Sequence, residues 1–351
     1  MSGQPALVDG YDLVIFDLDG VVYLGTEPVP GAVEAVNRLH ELGVAVVYAT
    51  NNAARRPDEV ALLLTGLGVP AVADEVLTSP QAAAALLADR LPAGAKVLIV
   101  GTEALASAVA GVGLTPVPSA DDAPVAVVQG YGPKVGWPEL AEACVAVRAG
   151  ALWVATNADR TLPSVRGPLP GNGSLVAAVA TALGRGPDET VGKPAPTLFE
   201  RAARRAGATR PLVVGDRLDT DIDGANRAGM DSLLVLTGVG TPKDVLTAAP
   251  PQRPTYLAAD LSGLFEPGRS ANQSGSAASD AAHDPDRSPQ GWRVRRHEAG
   301  LELDGAGSPV AALRALCAVA WSGAEPPAAV TAGSPAALAA LRELDLSTMD
   351  G

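Results

Sequence analysis

Asp17 and Asp19 stand two residues apart in Asp17-Leu18-Asp19-Gly20, directly behind the apolar run at 13–16. In an open parallel sheet ligands bind beyond the carboxyl ends of the strands, so both carboxylates can face one pocket, one to attack and the other to move protons. Thr50-Asn51-Asn52 closes a second apolar run at 44–48. A hydroxyl and main-chain N–H groups at such a strand-to-helix turn can seat a phosphate, although the same residue types also serve as plain helix caps. Lys193, between Gly192 and Pro194, is one of only four lysines in the chain. It reads either as a fixed point charge beside a phosphate or as a surface turn. Asp216 and Asp221 follow a third apolar run at 212–214, within Gly215-Asp216-Arg217-Leu218-Asp219-Thr220-Asp221. Carboxylate oxygens at a strand end suit a hard cation such as Mg²⁺.

These residues need strands to present them. Short Val/Ile/Leu runs at 13–16, 44–48, 96–100, 125–128, 152–155, 212–214 and 232–236 alternate with Ala/Leu-rich stretches of helical spacing, such as 31–42. Near-continuous apolar strands separated by helices predict an α/β fold with a mostly parallel sheet covered on both faces. Residues 266–290 are rich in Ser, Ala, Asp, Pro and Gly and are expected to form a flexible linker. Beyond it, 291–351 reads as strands near 292–296 and 301–303, a helix at 309–321, a strand at 328–331 and a helix at 335–344. A segment this short has little core of its own, so it is expected to dock on the rest of the protein or on a second chain.

Composition narrows the function. The 351 residues carry a formal charge of −13, which argues against general binding to nucleic acid or to an anionic membrane surface. Hydrophobic residues make up 47% and aromatics only 3%, so the core must be built from Ala, Val and Leu. Two cysteines, Cys144 and Cys317, exclude a disulfide framework and fit a reducing cytoplasm. No apolar run is long enough to insert in a membrane, and the first ten residues lack a secretion signal. None of the three histidines accompanies a Ser or Cys motif, so a nucleophilic triad has no support, and there is no Cys/His cluster for zinc.

The order DxDG, TNN, GKP, GDRxxTD, each at the end of an apolar strand, resembles the haloacid dehalogenase-like (HAD) phosphatase superfamily over roughly residues 11–265. The resemblance implies a Rossmann-like parallel sheet core and a phosphomonoesterase acting through an aspartyl-phosphate. Asp17 would attack phosphorus. Asp19 would protonate the leaving oxygen and later activate water. Thr50 and Asn51 would bind the phosphoryl oxygens, and Lys193 would neutralise charge. Mg²⁺ would be held by Asp17, the main-chain carbonyl of Asp19 and Asp216, with Asp221 in support. About 140 residues separate Asn51 from Lys193, enough for an inserted α/β cap. With Leu24-Gly25, Pro30-Gly31-Ala32, Thr156 to Arg160 and Pro170 to Ser174, the chain resembles the p-nitrophenylphosphatase/phosphoglycolate-phosphatase-like subfamily. The expected division is core at 1–76 and 185–265, cap at 77–184, linker at 266–290 and tail at 291–351. Two cap loops are candidate substrate readers: one with Gln129, Tyr131 and Lys134, the other with Asn157 and Arg160.

The tail, with Gly305-Ala306-Gly307 before a helix, resembles the second half of a GCN5-related acetyltransferase (GNAT), in which such a turn cradles pyrophosphate. The first half is missing, and Glu302 stands where a basic or amide residue usually begins the fingerprint, so an acid would repel that ligand. A phosphatase with this short tail resembles actinobacterial glycerol-3-phosphate phosphatases. The expected substrate is therefore glycerol 3-phosphate, a small-molecule phosphate ester. The alternatives are 2-phosphoglycolate, pyridoxal phosphate or a nucleotide, or a non-catalytic phosphometabolite-binding protein. Homo-oligomerisation is left open.

Overall fold

The structure, a computed structural model, describes residues 4–162, 166–271, 291–298, 300–323 and 325–347. It divides into two compact units, 1–45 with 209–351, and 46–208.

In the first unit the strands Tyr256–Ala258, Asp231–Val235, Pro211–Gly215 and Leu13–Phe16 lie side by side in that order, all parallel. Leu13 to Phe16 are all buried, as are four of the five residues in each of the next two strands, Pro211–Gly215 and Asp231–Val235. This is the pattern of strands covered on both faces, which is why they read as apolar runs rather than as alternation. The helix Ala32–Glu41 buries Ala32, Ala35, Val36 and Leu39, one stripe at helical spacing.

The C-terminal module belongs to this unit. Trp292–His297 pairs antiparallel with Gly300–Gly305, which pairs parallel with Val330–Ala332. Its helices Pro309–Ser322 and Pro335–Glu343 each begin on a serine cap, Ser308 and Ser334, followed by proline at the first helical position. Trp292, Leu301, Leu303, Leu313, Leu316 and Trp321 share one buried cluster with Leu234 and Leu257 of the preceding sheet and Val245 and Leu246 of the helix Pro242–Leu246. The module thus completes a core it could not build alone. Of the expected linker, 272–290 lies outside the described residues. Its first part is tied down: Leu7 N donates to Glu266 O at 2.7 Å and Ala271 N to Thr255 O at 2.8 Å.

The second unit holds a five-stranded parallel sheet in the order Glu189–Thr190, Leu152–Ala155, Ala126–Gln129, Lys96–Val100, Thr115–Val117. Trp153 is fully buried in its core among Leu98, Val127, Ala146 and Val179. The strand Ala45–Thr50 pairs parallel with Val76–Thr78, placing Thr50 opposite Thr78. Among the described residues no helix is long and apolar enough to cross a membrane.

Candidate active site

In the first unit the register Phe16 to Val214 makes Asp17 and Asp216 leave the same edge of the sheet. Asp17 N donates to Val214 O at 2.9 Å, which extends the ladder by one bond. A π-helical turn, Leu218–Ile222, then brings Asp221 back toward them. Carboxylate oxygens of Asp17, Asp216 and Asp221 lie within 4.8 Å of one another. Asp216 and Asp221 are buried, at 1% and 0% exposure. Three ionised carboxylates so close repel one another, and burial raises that cost, unless a cation offsets the charge. The donors are all oxygen, so the arrangement fits a hard divalent cation.

Glycine main chain walls this cluster. A side-chain carbon at Gly20, which has φ +83°, would stand 2.5 Å from Asp216 Oδ2, and one at Gly238 would collide with the same oxygen. Val239 N donates to Asp216 Oδ2 at 2.7 Å, and Gly240 N to Asp216 O at 2.9 Å. Thr237 Oγ1 donates to Gly20 O at 2.6 Å. The segment 237–240 therefore holds both the Asp216 loop and the turn after Asp19. Asp19 itself is exposed, and its carboxylate is not in the cluster.

The second unit assembles Thr50, Asn51, Asn157 and Lys193. Asn51 Oδ1 accepts from Lys193 N at 2.8 Å, and its Nδ2 donates to Lys193 O at 3.0 Å and to Asp159 Oδ1 and Oδ2 at 3.3 and 3.2 Å. Asn157 Nδ2 donates to Asn51 O at 2.8 Å, and Asn172 Nδ2 to Asn157 O at 2.8 Å. The Asn51 amide is thus committed at both ends to clamping the loop that carries Lys193, so any contact of this residue with a phosphoryl oxygen falls to its main chain. Gly192 admits no side chain, because one would meet Asn51 Oδ1 at 2.5 Å and Thr156 O at 2.6 Å. Lys193 is 3% and Thr50 4% exposed, and Thr50 Oγ1 accepts from Asn52 N at 3.1 Å.

Gln129 is fully buried, and its Oε1 accepts from Trp153 Nε1 at 3.1 Å. It ends the strand Ala126–Gln129 instead of opening the loop behind it. Tyr131 is half-buried, while Lys134 and Arg160 are exposed. The Arg160 main-chain carbonyl accepts from Gly171 N at 2.9 Å and Ser174 Oγ at 2.7 Å, which ties this loop to the start of the helix Asn172–Leu183. Asp159 and the segment 237–240 were not singled out from sequence. The glycines at 238 and 240, just behind a strand, were the available signal.

Family models match in three places: haloacid dehalogenase-like hydrolase at 14–115, HAD-hydrolase-like at 190–264, and GCN5-related N-acetyltransferase-like domain at 290–346. The chain is 52% identical over 261 residues to the D-glycerol 3-phosphate phosphatase of Mycobacterium tuberculosis, covering 74% of this chain and 73% of that one. The chain belongs to the haloacid dehalogenase-like hydrolases. With the acid sugar phosphatase of Staphylococcus saprophyticus it is 36% identical over 258 residues, 73% of this chain and 97% of that one. A crystal structure of glycerol phosphate phosphatase from Mycobacterium tuberculosis in complex with magnesium superposes with a TM-score of 0.87 at 44% identity, covering 98% of this hydrolase and 100% of that chain. The p-nitrophenyl phosphatase from Archaeoglobus fulgidus gives 0.67 at 31%, covering 72% and 98%.

Proposed function

We propose that this hydrolase is a Mg²⁺-dependent phosphomonoesterase whose preferred substrate is glycerol 3-phosphate, released as glycerol and phosphate. The observation that carries the reaction class is the carboxylate cluster of Asp17, Asp216 and Asp221 behind adjacent parallel strands. Asp17, Asp216 and Asp221 would hold Mg²⁺ together with the Asp19 carbonyl, and the bound ion would supply positive charge between an anionic nucleophile and an anionic ester.

Asp17 attacks phosphorus and becomes an aspartyl-phosphate, since it is the carboxylate that the first strand delivers to the cluster. Asp19, exposed and outside the cluster, keeps a carboxyl that can hand a proton to the departing alkoxide and take one from water afterwards. Thr50 and the Asn51 main chain bind phosphoryl oxygens. Lys193, held away from bulk water by the Asn51 clamp, supplies a charge that little solvent screens. We read 1–76 and 185–265 as the catalytic core, 77–184 as the cap, and Tyr131, Lys134, Asn157 and Arg160 as the cap residues nearest to substrate choice. A cytoplasmic setting suits the two free cysteines.

Glycerol 3-phosphate is favoured by the 52% identity to an enzyme named for that substrate. The buried Gln129 leaves the half-buried Tyr131 phenol and the exposed Lys134 ammonium as the polar groups of its loop. The test is a phosphate-ester panel with Mg²⁺ and with EDTA. Turnover should vanish on chelation, and kcat/KM should be highest for glycerol 3-phosphate. A value at least about tenfold lower than for 2-phosphoglycolate, pyridoxal phosphate or a sugar phosphate, a difference of about 1.4 kcal/mol, would replace the substrate but keep the reaction class. Phosphate-ester binding without any turnover would instead support a metabolite-binding protein.

A further inference from the structure

We propose that the C-terminal acetyltransferase-like module is a positioning support for the metal carboxylate Asp216, acting through Trp321. The inference rests on the reading of Asp17, Asp216 and Asp221 as a Mg²⁺ site. Asp216 is fixed by two main-chain donors, Val239 N at 2.7 Å on Oδ2 and Gly240 N at 2.9 Å on its carbonyl. Those donors lie just ahead of the helix Pro242–Leu246. A five-residue helix has no stability of its own in water, even with the capping box that Thr241 and Asp244 make here. Its position is decided by what packs on it, and the module supplies part of that packing.

The contact centres on Trp321, near the end of the helix Pro309–Ser322. Its indole Nε1 donates to Val245 O at 3.2 Å. The Arg253 guanidinium lies 5.5 Å from the indole ring centroid, and Arg253 Nη1 donates to Trp321 O at 3.1 Å. Arg253 Nε also donates to Ala248 O at 3.1 Å, so the same side chain binds both the module and the residues just past the short helix. Val245 and Leu246 are buried in one cluster with Leu313, Leu316, Ala320 and Trp321. Leu218 and Ile222, at the two ends of the turn that carries Asp221, belong to this cluster too. The module therefore orders the backbone that aims one metal ligand and shares a core with the turn that presents another. This is a use for the domain that requires no acyl donor.

The experiment is calorimetric titration of Mg²⁺ alone into the full-length protein, paired with kcat measured at saturating Mg²⁺. Trp321→Phe removes the indole donor but keeps a smaller aromatic ring, and Trp321→Leu removes the ring as well. Val294→Ala, in the module's own sheet and the same core, lowers stability without touching the short helix. Trp321→Leu should raise the Mg²⁺ dissociation constant about three- to tenfold, the scale of one lost or loosened hydrogen bond, and Trp321→Phe should raise it less. Saturating kcat should stay within about twofold, and Val294→Ala should bind Mg²⁺ like wild type while melting earlier. If the Trp321 variants melt earlier but keep wild-type Mg²⁺ affinity, or if Val294→Ala weakens Mg²⁺ equally, the support is general stability and the proposal is overturned. If Trp321→Leu does not fold, Trp321→Phe decides by the same criterion. Asp216→Ala should abolish the titration; wild-type binding by that variant would mean that the metal site itself is misassigned, a failure distinct from that of the module.

Discussion

Asp17 is placed by its main-chain bond to Val214 O and by its strand, so exchanging the carboxylate for an amide of the same shape should leave the fold intact. Asp17→Asn should lower kcat at least about a hundredfold, because an amide cannot form the acyl phosphate, with an unchanged circular dichroism spectrum. Gly238 makes a second prediction from steric facts alone. Its backbone lies so close to Asp216 Oδ2 that a methyl group has no room. Gly238→Ala should displace the carboxylate and raise the Mg²⁺ concentration needed for half-maximal activity. Gln129 gives the opposite case. Gln129→Met should cost about 1 kcal/mol of stability for the lost bond from Trp153, measured by urea unfolding, and leave kcat/KM within about twofold.

Among elements, the loop carrying Lys193 depends on a residue 142 positions earlier. Asn51 grips its N–H and carbonyl together, and Asp159 fixes which way the Asn51 amide faces. Removing the clamp should let the Lys193 loop relax. Asn51→Ala is expected to raise KM and lower kcat together by about tenfold each. Asp159→Asn, which can still accept one bond from Asn51 Nδ2, should lose much less than Asp159→Ala. Steady-state kinetics of the three variants checks this order. Equal losses in Asp159→Asn and Asp159→Ala would point to a charge requirement instead of an orienting one.

For the molecule as a whole, a hydrophobic cluster of the first unit joins the C-terminal module to Leu234, Val245, Leu246 and Leu257. A chain ending near Leu264 would expose Leu234, Val245, Leu246 and Leu257 to water and cut the bonds from Arg314 to Leu257 O at 3.0 and 2.6 Å. An apolar face of that kind promotes association. The truncated chain should melt well below the full protein and aggregate in size-exclusion chromatography, while its folded fraction still turns over substrate at saturating Mg²⁺. The module should not bind acetyl-CoA: Glu302 sits on its central strand, with its carboxylate 3.0 Å from where a side-chain carbon at Gly333 would stand. Calorimetry with acetyl-CoA is the direct check.

The sequence alone determined the α/β class, the strands at 13–16, 96–100 and 152–155, the pattern of the tail and the identity of the acidic residues at strand ends. Those features are local: an apolar run fixes a buried strand, and the residue after it emerges at the sheet edge. The strands Val76–Thr78, Thr115–Val117 and Tyr256–Ala258 escaped notice, since three residues carry no periodicity to read. Gln129 was misplaced for a related reason. One residue of extension turned a loop amide into a buried strand end, paired with Val100 and Ala155 of the two neighbouring strands and bonded to Trp153. Tertiary structure decided which carboxylates meet, that Asn51 serves Lys193, and that Trp321 reaches the helix beside Asp216's donors. Each of these joins residues far apart in the chain, and the energy that fixes them comes from packing and buried hydrogen bonds across elements, which no local pattern encodes.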